Sequence, residues 1–161
     1  MKKLLLSSLI FFSLKLFSQL PDYSLLDMNN NYTEIKELAG ENLTIVDFWA
    51  TWCKPCLTAI PELVKIQEDY AEQGVQVIGI SIDSPRNQSK VLPFAISRGI
   101  NYPVLLDPDQ EAMSDMNAYV VPTMIIYNKE GKVVFSHEGF KPGDEIIVRN
   151  KIDQLLKKSS N

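Results

Sequence analysis

The two cysteines of this 161-residue chain lie in one short stretch, TWCKPC, as Cys53 and Cys56. Cysteines at this spacing can form a structural disulfide, supply half of a zinc site, or exchange thiols and disulfides. A disulfide across two intervening residues closes a very small loop and constrains the unfolded chain little. A structural zinc site takes four Cys or His ligands, and the only histidine is His137. Redox chemistry is therefore the favoured interpretation, and no metal site is expected.

The residues around the pair indicate what each sulfur does. Cys53 follows an apolar stretch and precedes a helical pattern, so it lies where the partial positive charge of a helix N-terminus favours a thiolate. Lys54 adds a cation, and Pro55 is tolerated because the first helical turn needs no backbone donor. We predict Cys53 as the nucleophile, with its pKa tuned by Lys54 and Pro55. Cys56, one turn further on, is the expected resolving cysteine.

The pair lies between an expected strand over residues 43–50 and an expected helix over 54–73. Residues 43–50 are almost continuously apolar, as in a strand covered on both faces, and Asp47 interrupts them. The helix has an apolar face, ends at Gly74 and should be kinked by Pro61. A second buried strand over 75–81 completes a parallel strand–helix–strand unit.

The remaining chain predicts further elements around this unit. Residues 23–38 suggest short extended pieces around a turn at 27–31, and 84–99 an irregular helical insertion bent or started by Pro93. The last helix, 144–157, should turn Ile147, Val148, Ile152 and Leu155 inward. Other elements are a strand at 104–106, a helix at 110–117, and a hairpin of 124–127 with 133–136. The expected fold is α/β: a central mixed β-sheet flanked by helices, with an N-terminal extended or hairpin extension and a central helical insertion.

The first 18 residues have the pattern of a secretory signal peptide. Lys2 and Lys3 precede an uncharged apolar run over 4–14, which is shorter than the roughly 20 residues of a membrane-spanning helix. We expect cleavage near Ser18–Gln19, leaving one domain over 19–161. Leu16 is large for a cleavage site, so an uncleaved N-terminal anchor is the alternative. The predicted location is the periplasm of a bacterium, with membrane attachment only if the segment is retained.

The charge balance restricts the class of partner. The chain carries 16 basic and 20 acidic side chains, and removal of residues 1–18 takes away three lysines and no acid. An acidic chain without a basic run argues against nucleic acid or an anionic membrane surface as a partner.

The stretch VDFWATWCKPC (46–56), with Pro61 after it and Val121-Pro122-Thr123 much later, resembles the thioredoxin superfamily. The signal segment and the insertion at about 84–103 make the chain similar to its exported TlpA/ResA-type thiol–disulfide oxidoreductases. The resemblance implies that Pro122 is a cis proline near the cysteines, and that Val121 offers its backbone to an extended substrate. It also implies that Trp52 contacts clients and that Asp47 is a buried acid. Burial would raise the pKa of Asp47, so that it can accept the proton of Cys56.

The chain departs from these relatives at Ala59, where many exported members carry a glutamate. Proton handling would then fall to Asp47 alone. Gly139 matches a glycine that lies close to the site in the family, with an ordinary turn glycine as the alternative.

The resulting hypothesis is an exported thiol–disulfide oxidoreductase that reduces protein disulfides without a cofactor. Its partners would be disulfide-containing client proteins and a membrane or exported thiol protein that donates electrons. One alternative is a thiol peroxidase, but Ala50 stands where that pocket needs a hydroxyl. The other is an exported copper carrier that uses Cys53, Cys56 and His137.

Overall fold

The computed structural model describes residues 20–159, so the expected signal peptide at 1–18 lies outside the described residues. A seven-stranded mixed sheet forms the centre, in the order β2-β1-β5-β4-β3-β6-β7. No helix among residues 20–159 is long and apolar enough to cross a membrane. The strands are β1 (Ser24–Asp27), β2 (Tyr32–Glu34), β3 (Leu43–Trp49), β4 (Val75–Ser81), β5 (Val104–Leu106), β6 (Thr123–Asn128) and β7 (Val133–Glu138). The α-helices are α1 (Lys54–Tyr70), α2 (Val91–Ser97), α3 (Glu111–Asp115) and α4 (Asp144–Ser159).

The strand–helix–strand unit is confirmed. β3 is buried along its whole length and pairs in parallel with β4, from Leu43 opposite Val75 to Trp49 opposite Ser81. The helix α1 runs without interruption through Pro61, and a short 3₁₀ turn over Ala71–Gln73 leads to Gly74. Gly74 adopts φ +73°, a left-handed conformation that glycine enters at little cost. The predicted end of the helix was therefore correct.

Two apolar layers hold the helices against the sheet. On one face, Leu43 and Ile45 of β3 pack in the same cluster as Leu63 and Ile66 of α1 and Val148 of α4. The other face carries the alternate residues Val46 and Phe48, which share a cluster with Ile35 and Met113. The expected helices on both faces of a mixed sheet are thus observed, because successive strand residues point to opposite sides.

The N-terminal hairpin is confirmed, and it is part of the main sheet. β1 pairs antiparallel with β2 and, on its other side, with β5, where Leu26 lies opposite Leu106. Asn30 takes φ +63° in the intervening turn, a conformation in which asparagine is common. The central insertion forms a 3₁₀ turn at Gln88–Lys90 followed by α2, which contains Pro93 near its start.

One prediction for α4 was wrong. Val148 and Ile152 are fully buried, and Leu155 packs partly against the same cluster, but Ile147 is 50% exposed. Ile147 and Val148 are adjacent, so they lie about 100° apart around the helix, and the face that meets the sheet passes through Val148.

Candidate active site

Cys53 and Cys56 form a disulfide at the N-terminus of α1. Cys53 is the N-cap residue of this helix, and its Sγ accepts a hydrogen bond from the backbone N–H of Cys56 at 3.2 Å. Cys53 is 3% exposed, whereas Cys56 is completely buried. A helix N-terminus directs positive partial charge toward the first sulfur, and only that sulfur is near solvent. The two side chains are therefore in different electrostatic and steric surroundings.

The residues flanking the disulfide are accessible. Lys54 and Pro55 lie exposed in the first turn of α1, and Trp52 is 60% exposed beside Cys53. An apolar ring with this exposure, next to a reactive sulfur, offers contact area to another molecule. The structure thus places the three predicted flanking residues around the disulfide.

The peptide bond between Val121 and Pro122 is cis, as the resemblance implies. Pro122 is buried, and half-buried Val121 packs against the apolar cluster that contains both cysteines. The backbone on each side of Val121 is fixed, because Val120 O accepts from Thr123 Oγ1 at 2.7 Å and Pro122 O accepts from Gly139 N–H at 2.8 Å. These two bonds fix the backbone on both sides of Val121.

Two exposed side chains before Val121 were missed by the sequence interpretation. Tyr119 is 70% exposed and Val120 is 48% exposed. They lie three and two residues before the cis proline, and Trp52 directly precedes Cys53, so both segments carry exposed apolar side chains. The signal in the sequence was three apolar residues, YVV, immediately before Pro122 in a segment predicted as a loop.

Asp47 lies on β3, on the face of the sheet covered by α1. It is completely buried, and neither carboxylate oxygen has a hydrogen-bond partner within residues 20–159. Burial raises the pKa of Asp47 well above its usual value, because the charged form is poorly solvated there. The expected burial of this acid is confirmed, and its role as proton acceptor remains a prediction.

A second buried carboxylate, which the sequence interpretation missed, holds the loop before the cysteines. Asp83 accepts hydrogen bonds from Thr51 N–H at 2.8 Å, Thr51 Oγ1 at 2.6 Å and Ser81 Oγ at 2.9 Å. The loop leading to Cys53 is therefore tied to the end of β4. The signal was an acid directly after a buried strand, since the carboxyl ends of neighbouring parallel strands meet at one edge of a sheet.

His137 and Gly139 lie on β7 and just after it. His137 Nε2 lies 3.1 Å from Asp144 Oδ2, and the ring stacks on Phe135. Within residues 20–159, no three His, Cys, Asp or Glu side chains are grouped so that they could hold a metal. Gly139 takes φ +73° with open space where a Cβ would lie, which is the conformation of a turn glycine. The Gly139 backbone nevertheless contacts the cis-proline segment, since its N–H donates to Pro122 O at 2.8 Å.

The mixed sheet, the Cys-x-x-Cys pair at the start of α1 and the cis proline before β6 define a thioredoxin-like fold. Solved structures agree. A thioredoxin-like protein from Porphyromonas gingivalis superimposes with a TM-score of 0.74 at 33% identity, covering 88% of this chain and 94% of that one. A protein provisionally described as the thiol:disulfide interchange protein DsbE from Chlorobium tepidum gives a TM-score of 0.79 at 25% identity, covering 87% and 96%.

The AhpC/TSA family model matches residues 17–136, so the chain belongs to the AhpC/TSA family. Among curated relatives, the thiol-disulfide oxidoreductase ResA of Bacillus subtilis is 32% identical over 117 residues, which are 73% of this chain. The chain spans 64% of the length of that relative. The family match thus covers β1 to β6, the first part of β7, the disulfide and the segment that carries the cis proline.

Proposed function

We propose that the protein is a thiol–disulfide oxidoreductase that reduces disulfides in client proteins. The observation that carries the proposal is the Cys53–Cys56 pair at the start of α1, with Cys53 slightly exposed at the helix N-cap and Cys56 completely buried. A lone structural disulfide needs no such asymmetry. Thiol–disulfide exchange does need it, because one sulfur must be accessible to the client disulfide and the other must react only after the mixed disulfide has formed.

The reaction begins from the dithiol. The Cys53 thiolate attacks one sulfur of the client disulfide, and the other client sulfur leaves as a thiolate and takes up a proton. Asp47 then accepts the proton of Cys56, whose thiolate attacks Cys53 Sγ. The bond between Cys53 and the client breaks, the Cys53–Cys56 disulfide forms, and the second client sulfur leaves as a thiolate that takes up a proton, so the client is released with two thiols. A thiol protein that donates electrons restores the dithiol.

Client chains would bind across the apolar surface formed by Trp52, Tyr119 and Val120. Hydrogen bonds to Val120 O and Pro122 O fix the backbone on both sides of Val121. The Val121 backbone would pair with an extended client segment. Such pairing gives affinity through main-chain groups and tolerates many client sequences. No cofactor enters this reaction.

We further propose that the protein acts after export. The support is the pattern of residues 1–18, with two lysines before an uncharged apolar run. In a bacterium the expected location is the periplasm, either free or held by an uncleaved N-terminal segment. Sequencing the N-terminus of protein recovered from the periplasmic fraction tests this, and a cytoplasmic product that retains Met1 would contradict it.

Trapping tests the assigned roles. Cys56→Ser should accumulate a mixed disulfide at Cys53 with a disulfide-containing peptide, visible by mass spectrometry and released by dithiothreitol. Cys53→Ser is the matched control and should trap none, and the opposite result would reverse the roles.

The direction of the reaction is tested by the reduction potential: a value near about −120 mV, that of a strong oxidant, would contradict a reductase. Consumption of hydrogen peroxide should stay at background, because buried Ala50 supplies no hydroxyl three positions before Cys53.

A further inference from the structure

Three buried polar groups lie around Gly79 without a hydrogen-bond partner in the described part of the chain. They are the carboxyl of Asp47, the indole N–H of Trp49 and the hydroxyl of Tyr102. Asp47 is the residue directly opposite Gly79 in the β3–β4 register. A Cβ at position 79 would lie 3.0 Å from Trp49 Nε1 and 3.1 Å from Tyr102 Cε2. The glycine therefore makes room for both rings beside the acid.

Tyr102 is held in this position from two sides. The side-chain amide of its neighbour Asn101 donates to Val64 O at 3.4 Å and to Glu68 Oε1 at 3.2 Å, both on α1. On the other side, Gly79 N–H donates to Pro103 O at 2.9 Å. Tyr102 is thus fixed between the helix that carries Cys56 and the strand next to Asp47.

The chemistry of the three groups is complementary. Burial, with a contribution from the charge of Asp47, raises the pKa of Tyr102 well above its usual value, so its hydroxyl stays protonated and can donate. An indole N–H can only donate, and a carboxylate can only accept. Buried polar groups without partners are destabilising, and internal water commonly satisfies such groups when two to four of them converge.

Building on the proposed function, we propose that Tyr102 is a positioning residue for the proton transfer from Cys56 to Asp47. Its hydroxyl, through a water molecule shared with the Trp49 indole, donates to the Asp47 carboxylate and favours the ionised form. Asp47 can then take the proton from the Cys56 sulfur as that sulfur attacks Cys53. Tyr102 itself neither gains nor loses a proton in the step.

The elements packed around Asp47 carry few other titratable side chains that could change its pKa. In register with it are Gly79 on β4 and Met124 on β6, neither of which titrates. Lys54 and Glu68 of α1 are exposed. Among the described residues, Tyr102 and Tyr70 are titratable side chains buried in the cluster on this face, and the Tyr70 hydroxyl donates to Asp153 at 2.9 Å. His137 on β7 lies in register with Met124, so it shares this face, and it pairs with Asp144. In the reduced protein, Cys56 adds a thiol. The buried residues of α1 are Cys56, Ala59, Ile60, Leu63, Ile66 and Tyr70, and those of α4 are Asp144, Val148 and Ile152.

Tyr102→Phe tests the proposal because it removes the hydroxyl and keeps the ring. Tyr127→Phe is the matched control: Tyr127 is equally buried with an unpartnered hydroxyl, but it follows Met124 on β6 at a position that faces the other side of the sheet. Carbon-13 NMR titration of the oxidised protein should show a higher Asp47 pKa in Tyr102→Phe and no change in Tyr127→Phe. When a client is attached at Cys53 of Tyr102→Phe, the pH midpoint of the client-release rate should rise. Below that midpoint the release rate should be up to about tenfold lower.

Asn101→Ala is a second variant, which loosens the tyrosine and leaves its hydroxyl in place. It should move the Asp47 titration in the same direction by a smaller amount. An Asp47 titration that neither Tyr102→Phe nor Asn101→Ala changes, or that Tyr127→Phe changes equally, would overturn the proposal. This titration uses the oxidised protein without a client, so it can be measured even if the protein does not reduce disulfides. A failure of the Tyr102 proposal can therefore be distinguished from a failure of the proposed function.

Discussion

Asp47 shows how strongly a single residue can conflict with its surroundings. The side chain is enclosed by an apolar layer, and no protein group in residues 20–159 pairs with it. Burial raises its pKa because the ionised form loses its solvation. An acid in this state is costly to keep for stability alone. The cost is understandable if the carboxyl exchanges a proton during the reaction.

Asp47→Asn should change how stability depends on pH. The folded-state pKa of Asp47 lies above its unfolded value of about 3.9, so the folded state binds more protons between the two values. The contribution of Asp47 to stability is then fully present below its unfolded pKa, and it falls by up to about 1.4 kcal/mol per pH unit as pH rises toward the folded pKa. The asparagine variant should lack this slope. Urea unfolding of both oxidised proteins from pH 4 to 9 measures it, and parallel curves would show that Asp47 is not strongly perturbed.

At the scale of elements, the active-site loop depends on Asp83. Its carboxylate collects three hydrogen bonds and connects the segment before Cys53 to the end of β4. The loop is short, and Cys53 N–H also donates to Ala50 O at 3.1 Å. The position of the first sulfur is therefore set by a strand that contributes no cysteine.

Asp83→Asn should loosen this connection. The amide keeps one acceptor oxygen for Thr51 N–H and Ser81 Oγ and places an NH2 group toward Thr51 Oγ1. The charge-assisted hydrogen bonds to the carboxylate are lost, and we expect a loss of about 1–3 kcal/mol. Ser81→Ala removes one of the three bonds and should cost about 1 kcal/mol. Asp109→Asn, at an exposed acid, is the control and should be neutral. Urea denaturation measures all three, and equal stability of the Asp83 and Asp109 variants would contradict the role of the loop contact.

The orientation of α4 can be tested with one substitution made at two sites. Ile152→Ala removes a fully buried side chain and should cost about 2–5 kcal/mol. Ile147→Ala changes a half-exposed side chain on the same helix and should cost less than about 1 kcal/mol. Thermal unfolding followed by circular dichroism gives both values. Equal losses of stability in the two variants would mean that α4 is rotated about its axis so that a different face packs against the sheet.

At the scale of the whole molecule, the N-terminal hairpin completes the sheet. β1 covers the edge of β5, and Ile35, just after β2, is fully buried in the cluster that also contains Phe48 and the cysteines. The hairpin is therefore part of the same cooperative structure as the site.

A chain that begins at residue 41 should be less stable than one that begins at residue 20. Loss of Ile35 alone corresponds to about 2–5 kcal/mol, and the exposed edge of β5 adds a tendency to aggregate. Guanidinium unfolding should show a lower midpoint and a smaller m-value for the shorter chain. Identical midpoints would mean that the hairpin folds independently of the sheet.

The sequence by itself determined the central unit of this protein and its chemistry. A fully apolar strand, a helix with one apolar face and a glycine stop are local patterns, and they located β3, α1 and β4 to within a few residues. The strand pattern before the cysteines and the helical pattern after them put Cys53 at the start of the helix and Cys56 in its first turn. The resemblance added the cis bond before Pro122, which no local pattern could have supplied.

Only the tertiary structure decided which distant residues meet. Asp83 reaches Thr51, and Tyr102 and Trp49 converge on Gly79, because neighbouring strands bring residues far apart in sequence to one edge or one face of the sheet. The rotation of α4 that exposes Ile147 and the pairing of the hairpin with β5 have the same origin. Side-chain periodicity defines faces within one element, whereas contacts between elements depend on register and packing, which no single segment contains.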